Sequence, residues 1–163
     1  MSTPGDWIKV TLSKHEWFMA AMDGVARRVA TVDRPDKHGT NPLNRWQVDC
    51  DGACGEKVVS KWMNVYHSGN LNTYGLPDVA GHGVRTTALA KGSLIIRPDD
   101  ADERPFILVL SHLAPVFYLC GWLYGYEAKQ QSAWWTDGGN GRDPAWFAPQ
   151  EALHPMNELP PTP

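Results

Sequence analysis

This 163-residue chain has few cysteines and no excess of positive charge. Its three cysteines are Cys50, Cys54 and Cys120. An odd, small number of cysteines argues against a disulfide framework and favours a reducing compartment. Cys50 and Cys54 have a loose metal-ligand spacing, but no second Cys/His pair with zinc spacing follows them. The cysteine content therefore supports neither a disulfide-stabilised secreted domain nor a structural zinc site.

The chain also lacks the sequence patterns of membrane and secreted proteins. Its longest apolar stretch, residues 113–123, is shorter than the roughly 18 residues that a membrane span requires. Residues 1–6 show no basic-then-apolar signal pattern. The net charge is −3, so binding to nucleic acid would need a local basic patch. We therefore expect a cytoplasmic protein that does not bind membranes.

What the sequence does contain is a globular composition with eight tryptophans. Hydrophobic residues make up 42% and charged residues 20% of the chain, so it can bury a core, and its length suits a single domain over residues 1–163. We predict a core over about residues 13–159, with flexible ends at 1–6 and 160–163. Tryptophan suits both cores and binding surfaces, so composition alone does not separate these two uses.

Helical and strand patterns follow one another in an order typical of a mixed domain. Ser13 and Glu16 form a capping box, which predicts a helix over about residues 14–30, and a second helix is predicted over about 53–66. Extended segments are predicted at about 7–12, 84–88, 92–97, 106–111, 116–123 and 145–149, with a short helix at about 126–131. The acidic segment 98–105 lacks EF-hand spacing and is predicted to be a solvated hairpin tip. The sequence therefore predicts an α/β (α+β) fold with helices covering a mixed sheet.

Two carboxylates, Asp78 and Glu56, are candidates for chemistry. Asp78 follows Pro77 and precedes a glycine-containing turn, which predicts a carboxylate at the start of a hairpin. Glu56 shares a predicted helix face with the apolar Val59 and Met63. A carboxylate on a buried face needs a partner, a proton or a metal. Glu56 is therefore either such a group or a first-turn acid that interacts with the helix dipole.

Three short motifs occur in order: Gly52-Ala53-Cys54-Gly55-Glu56 at a helix, Pro77-Asp78 before a strand, and Val84-Arg85-Thr86 on that strand. The later segments Gly121-Trp122-Leu123-Tyr124-Gly125 and Glu127-Ala128-Lys129 continue the pattern. In this order and spacing the motifs resemble the PD-(D/E)XK nuclease superfamily, in particular its small phage and mobile-element versions. The resemblance covers roughly residues 15–160. It implies a restriction-endonuclease-like mixed central sheet flanked by helices.

The resemblance also implies a function, the Mg²⁺-dependent (or Mn²⁺-dependent) hydrolysis of DNA by an endo- or exodeoxyribonuclease. In that superfamily two or three carboxylates hold the metal, which polarises the phosphoryl oxygen and lowers the pKa of an attacking water. Glu56 and Asp78 would be the metal carboxylates and members of the catalytic set. Arg85 and Lys129 would complete that set near the scissile phosphate.

The third motif departs from the superfamily's acid-x-Lys pattern, because Gly83, Val84 and Arg85 stand at those positions. Gly83 offers no side-chain ligand, whereas Arg85 can bind phosphate through two hydrogen bonds. The carbonyl of Val84 could bind metal, and Lys129 could supply the missing ammonium. The adjacent His82 could act as a ligand or base, although a lone turn histidine is more often exposed.

Three functions stay open on this basis. The first is metal-dependent hydrolysis of DNA. The second is a non-catalytic nucleic-acid-binding or assembly module on the same fold. The third is a protein-interaction module, and a homodimer is a further candidate assembly. A protein partner would dock on a tryptophan-rich surface formed by Trp134, Trp135 and Trp146.

The predicted contacts to the DNA backbone are four basic residues, Arg27, Arg28, Arg34 and Lys37.

Overall fold

The computed structural model describes residues 4–34, 44–69, 76–137 and 143–161. The helices in these ranges are α1 (Lys14–Ala30), α2 (Arg45–Met63) and the short α3 (Gly125–Lys129). The strands are β1 (Ile8–Thr11), β2 (Gly83–Thr87), β3 (Leu94–Ile96), β4 (Pro105–Leu113), β5 (Val116–Tyr124), β6 (Trp135–Thr136) and β7 (Ala145–Ala148). The fold is a mixed α/β (α+β) arrangement, which confirms the predicted class.

The strands form two sheets rather than the single sheet that was predicted. The first sheet has the order β1-β5-β4-β2, in which β2 runs parallel to β4 and the other neighbours are antiparallel. The second sheet is antiparallel and has the order β3-β7-β6. Strand patterns show which segments are extended but not which strands pair, so β3 and β7 could not be assigned to a second sheet in advance.

Strand β4 is central, and its two faces belong to different clusters of buried side chains. Ile107 and Val109 pack in the cluster that also contains residues of α2. Phe106, Leu108 and Leu110 pack in the cluster that contains residues of β3 and β7. Alternate side chains of a strand point to opposite faces, so a strand covered on both sides needs apolar residues throughout. The prediction of a central strand at this position is confirmed.

The first helix has the predicted limits, whereas the second begins earlier than predicted. Ser13 and Glu16 form the capping box: the Glu16 amide donates to Ser13 Oγ at 3.2 Å, and the Ser13 amide donates to Glu16 Oε2 at 2.7 Å. Helix α2 runs from Arg45 to Met63 instead of about 53–66. Its early start is not visible in the sequence pattern, because the first turns carry exposed apolar residues, Trp46 and Val48, that do not extend the buried stripe. Of the helices in the described ranges, none is long and apolar enough to cross a membrane.

Helix α1 packs closely on α2, and α2 packs closely on β2, and each contact is made at a glycine. A Cβ atom at Gly24 of α1 would overlap the Cys50 backbone and lie 2.6 Å from the Asp49 carbonyl oxygen. A Cβ atom at Gly55 of α2 would overlap the Thr86 side chain of β2. The absence of a side chain at Gly24 lets the backbones of α1 and α2 touch, and its absence at Gly55 lets the backbone of α2 touch the Thr86 side chain. Glu56 therefore lies directly beside the point where α2 meets the sheet.

Candidate functional site

Asp78 lies at the start of a two-residue hairpin that leads into β2, as predicted. Val79 and His82 pair across the turn: the His82 amide donates to the Val79 carbonyl at 2.8 Å, and the reverse bond is 3.1 Å. Ala80 and Gly81 between them have positive φ angles of 46° and 83°. Two successive residues of positive φ are typical of a type I′ turn, which matches the twist of paired strands. The turn therefore holds Asp78 beside the first residues of β2.

The Asp78 carboxylate is partly covered and faces other charges. Its Oδ2 accepts a hydrogen bond from the Val84 amide at 2.6 Å and lies 3.9 Å from Arg85 Nη1. Burial raises the pKa of the Asp78 carboxyl above its ordinary value, and the charge of Glu56 adds to the rise. The two predicted metal carboxylates therefore lie within electrostatic range of each other.

Glu56 lies in the middle of α2 with only 8% of its side chain exposed. Its carboxylate accepts two hydrogen bonds from Arg27, at 2.7 Å and 2.5 Å, and His67 Nε2 lies 3.2 Å from Oε2. Burial works against ionisation, but the hydrogen bonds from His67 and Arg27 hold the pKa of Glu56 below its ordinary value. Since α2 begins at Arg45, the first-turn interpretation of Glu56 is wrong. It is an ionised acid on a buried face, and its partner is a guanidinium.

Of the basic residues predicted to contact DNA, two are held by acids of the same chain. Arg27 binds Glu56, and Arg28 Nε lies 3.5 Å from a carboxylate oxygen of Asp49. Arg34 is exposed after the end of α1. Lys37 lies outside the described residues. The contacts of these residues to DNA stay a prediction.

Arg85 binds the acidic segment 98–105 through Asp100. Its Nη2 donates to both carboxylate oxygens of Asp100 at 2.7 Å and 2.8 Å, and the Arg97 amide donates to the same carboxylate at 2.8 Å. The Arg85 guanidinium also lies 5.0 Å from the centre of the Phe106 ring. The prediction of a solvated hairpin tip is wrong for Asp100, because Arg85 covers it and leaves 12% of its side chain exposed.

Lys129 contacts the same acidic segment. Its Nζ donates to Asp102 Oδ1 at 2.6 Å and to the backbone carbonyl oxygens of Asp100 and Pro98 at 2.6 Å and 3.2 Å. Lys129 therefore holds the backbone of Asp100, while the Asp100 side chain binds Arg85. The structure links this lysine to Arg85 through that segment, and a direct role at a phosphate stays a prediction.

The remaining residues of the third motif are packed against their neighbours. Gly83 lies against Phe106, and a Cβ atom at Gly83 would overlap the ring, so a third carboxylate there would require Phe106 to move. His82 is 1% exposed. Its ring nitrogens lie 3.3 Å from the Val79 carbonyl oxygen and 3.4 Å from that of Pro160. The expectation of a solvent-exposed turn histidine is therefore wrong.

The tryptophans proposed as a docking surface are only partly exposed. Trp134 and Trp146 pack against the core cluster of the second sheet. Trp135 is 43% exposed, and its ring centroid lies 4.3 Å from that of Trp146. Because two of the three rings cover the core, most of their area is not available to a partner.

His67 and Asp100 are site residues that the sequence analysis missed. His67 follows α2 and reaches back to Glu56, and Asp100 lies in a segment that was interpreted as solvated. Neither position belongs to a motif or a periodic face. The available signal for Asp100 was the need of Arg85 for an acid, since a strand arginine beside a buried sheet is seldom left unpaired.

Asp78 and Glu56 meet some requirements of a Mg²⁺ site but not all. Across the described ranges, no cluster of three or more His, Cys, Asp or Glu side chains could hold a metal ion. Mg²⁺ is usually bound by one or two carboxylates together with waters and substrate phosphate oxygens, and the two acids fit that donor set. Both oxygens of Glu56 already accept from Arg27, so a cation would compete with this guanidinium.

The raised pKa of Asp78 predicts that this acid makes folding less favourable near neutral pH. The folded state binds the proton more tightly than the unfolded state, so the free energy of unfolding falls as pH rises from the ordinary carboxyl pKa of about 3.9 through the folded-state value. Asp78→Asn removes this loss and keeps an oxygen for the Val84 amide. We expect the variant to gain stability relative to wild type as the pH rises above about 4.

Urea unfolding at several pH values measures this gain. Asp99→Asn, which removes a carboxylate at an exposed position, is the matched control. A stability difference between wild type and Asp78→Asn that does not grow with pH would show that the Asp78 carboxyl has no raised pKa in the folded protein.

Comparisons of this chain with protein-family models, with curated proteins and with solved structures find no match. The resemblance to PD-(D/E)XK nucleases therefore rests on the motifs alone. The restriction-endonuclease-like topology and the DNA-directed activity stay proposals.

Proposed function

We propose that this protein is a nuclease-like protein that acts on DNA, with Glu56 and Asp78 as its acidic centre. One observation supports this most strongly: Glu56 and Asp78, from two distant segments, are near enough for their charges to interact, and each faces a guanidinium, that of Arg27 or of Arg85. Carboxylates that can hold a metal, beside arginines that can bind phosphate, are the groups that phosphodiester chemistry needs. The low cysteine content supports a cytoplasmic location.

Each residue of this centre has a defined part in the proposed reaction. Glu56 and Asp78 would hold Mg²⁺ or Mn²⁺, and the ion, when bound, polarises the phosphoryl oxygen and lowers the pKa of the attacking water. Arg85 would donate hydrogen bonds to a phosphate oxygen from a position fixed by Asp100. Arg27 keeps Glu56 ionised before any substrate binds.

A second function, DNA binding without cleavage, is supported by a different observation. Arg27 occupies both oxygens of Glu56, and Phe106 fills the space that a third carboxylate at Gly83 would need. In this case the Arg27 guanidinium, not a metal ion, neutralises the charge of Glu56. Glu56 and Asp78 then stabilise the fold, and the protein does not cleave DNA.

A nuclease assay on linear and circular DNA with Mg²⁺ or Mn²⁺ tests the proposed function. We expect wild type to cleave only with metal. Asp78→Asn should lower the rate by about 100-fold or more, because loss of even an outer-shell group commonly costs 10- to 100-fold. Asp99→Asn is the matched control and should cleave normally. Cleavage that survives Asp78→Asn unchanged would assign the activity to a different site or a contaminant.

DNA binding measured without metal separates the two functions. If neither metal supports cleavage but DNA binding occurs and survives Asp78→Asn, the protein is a binding module. If the protein neither cleaves nor binds DNA, both functions are wrong.

A further inference from the structure

The outer face of α1 carries a row of apolar side chains that no other described element covers. Phe18, Met22 and Val29 are 60%, 46% and 59% exposed, and the partly buried Val25 lies between them. The spacings of four, three and four residues place all four on one stripe, as in the seam of a coiled coil. We call these four residues the α1 seam. Val32, which is 62% exposed, continues it into the turn after the helix.

Helix α2 does not cover the α1 seam, because α1 packs on α2 through another face. Ala20 and Gly24 are the buried residues of α1, and Gly24 touches the Cys50 backbone. At 3.6 residues per turn, the seam lies roughly 100–160° around the helix from Gly24. A contiguous apolar patch of this kind is comparable to the largest patch on a typical monomer, and such patches are often functional.

We propose that the α1 seam binds the α1 seam of a second copy of this chain, with the two helices antiparallel. In an antiparallel pair, Phe18 of each copy lies opposite Val29 of the other, and Met22 lies opposite Val25. Each facing pair then combines a large side chain with a small one, so the seam of one copy is complementary in shape to the seam of the other. A parallel pair would instead place Phe18 against Phe18 and Val29 against Val29.

The charges at the ends of the α1 seam also favour the antiparallel pair. In the same register Lys14 of each copy lies nearest the turn that follows α1 in the other, which carries Asp33, and both residues are exposed. Opposite charges at the rim of an interface set its register and partner. A parallel pair would place Lys14 beside Lys14, which is unfavourable.

The available area indicates a weak dimer. Side chains of this size leave on the order of 100 Å² exposed at these fractions. Met19, which is 48% exposed, borders the seam beside Met22. With it, the exposed apolar side chains Phe18, Met22, Val29 and Val32 give roughly 500 Å² per copy and roughly 1,000 Å² for a pair, before the polar rim is added. Specific interfaces begin near 1,200 Å², and the smallest of them are transient. We therefore expect dissociation in the micromolar range.

Sedimentation equilibrium of the full chain over about 1–100 μM tests the proposal. We expect a concentration-dependent dimer for wild type. Phe18→Glu and Val29→Lys should each raise the dissociation constant by about 30-fold or more, since by symmetry each places a charge against an apolar side chain in two of the four facing pairs. Leu89→Glu, a change at a 71% exposed apolar residue outside α1, should leave it unchanged. Circular dichroism shows whether each variant stays folded.

A mixture of the two seam variants tests the direction of the helices. In the antiparallel pair, the Glu at position 18 of one variant meets the Lys at position 29 of the other, and the second contact remains Phe18 with Val29. The mixture should therefore dimerise more tightly than either variant alone. A mixture that stays monomeric overturns the antiparallel pairing. The proposal is overturned if wild type is monomeric at all concentrations, or if Leu89→Glu dimerises as weakly as Phe18→Glu.

Discussion

Gly24→Ala is expected to lower the free energy of unfolding by about 3 kcal/mol, although alanine is the better helix former by about 1 kcal/mol. The new Cβ would overlap the Cys50 backbone and lie 2.6 Å from the Asp49 carbonyl oxygen. A side chain in the way could change rotamer, but the backbone of a neighbouring helix can only move as a unit. Helix α1 would therefore have to withdraw from α2. Urea unfolding measures the loss.

Gly52→Ala is the matched control for Gly24→Ala. Gly52 also lies inside a helix, but no atom outside its own stretch of helix lies within 4 Å of the point that a Cβ atom would occupy. In Gly52→Ala only the helix propensity changes, and we expect the free energy of unfolding to rise by roughly 0.5–1 kcal/mol. Similar responses of the two glycines would contradict the close contact of α1 and α2.

The contact at Gly24 also affects the candidate site. Arg27 is one turn of α1 further along, and its guanidinium reaches Glu56 of α2. A larger separation of the helices would lengthen or break this bidentate contact. The Gly24→Ala variant should therefore lose part of the Arg27–Glu56 pair together with the helix packing.

The sequence was sufficient to predict the elements that local patterns determine. A capping box sets the start of α1, and a continuous apolar run identifies β4 as central. The early start of α2 was missed because Trp46 and Val48 are exposed apolar residues in its first turns. The second sheet was missed because strand pairing joins residues far apart in sequence, for which alternation within one strand gives no information.

The sequence analysis named two acids for the candidate site but not their partners. The order of the motifs predicts that Glu56 and Asp78 share one site; the charge of Glu56 acts on Asp78, and a shared metal stays a prediction. Arg27, His67 and Asp100 reach their partners from separate elements through long or loop-borne side chains. No spacing rule links such residues, because their contact depends on how α1, α2 and β2 stack.

Arg27→Met is expected to lower the free energy of unfolding by about 3–5 kcal/mol at neutral pH. The side chains of Arg27 and Glu56 are 17% and 8% exposed, so the variant would leave a buried carboxylate without its guanidinium. Adding Glu56→Gln to this variant removes the unpaired charge and should recover much of the loss. Lys61→Met is the control: Lys61 and its partner Glu16 are 40% and 29% exposed at 2.7 Å, and we expect a loss below about 1 kcal/mol.

The loss caused by Arg27→Met should also depend on pH. In wild type the pKa of Glu56 is below its ordinary value, so the stability that the ion pair contributes is present above about pH 4.3 and declines as pH falls. In the variant, protonation of Glu56 removes the buried charge. The difference between wild type and variant in urea unfolding should therefore shrink towards acid pH, and a constant difference would assign the loss to packing.

The Arg27→Met variant also separates the two proposed functions. If Glu56 and Asp78 can hold a divalent cation, Mg²⁺ should take the place of the guanidinium and stabilise the variant in proportion to its binding. Wild type should respond less, because there Mg²⁺ competes with Arg27. Thermal unfolding with and without Mg²⁺ measures the stabilisation of wild type and of Arg27→Met. The double variant Arg27→Met/Glu56→Gln is the control, because it lacks the Glu56 carboxylate that would bind the metal. No stabilisation of Arg27→Met by Mg²⁺ or Mn²⁺ would contradict the two-carboxylate metal site and leave DNA binding as the remaining function.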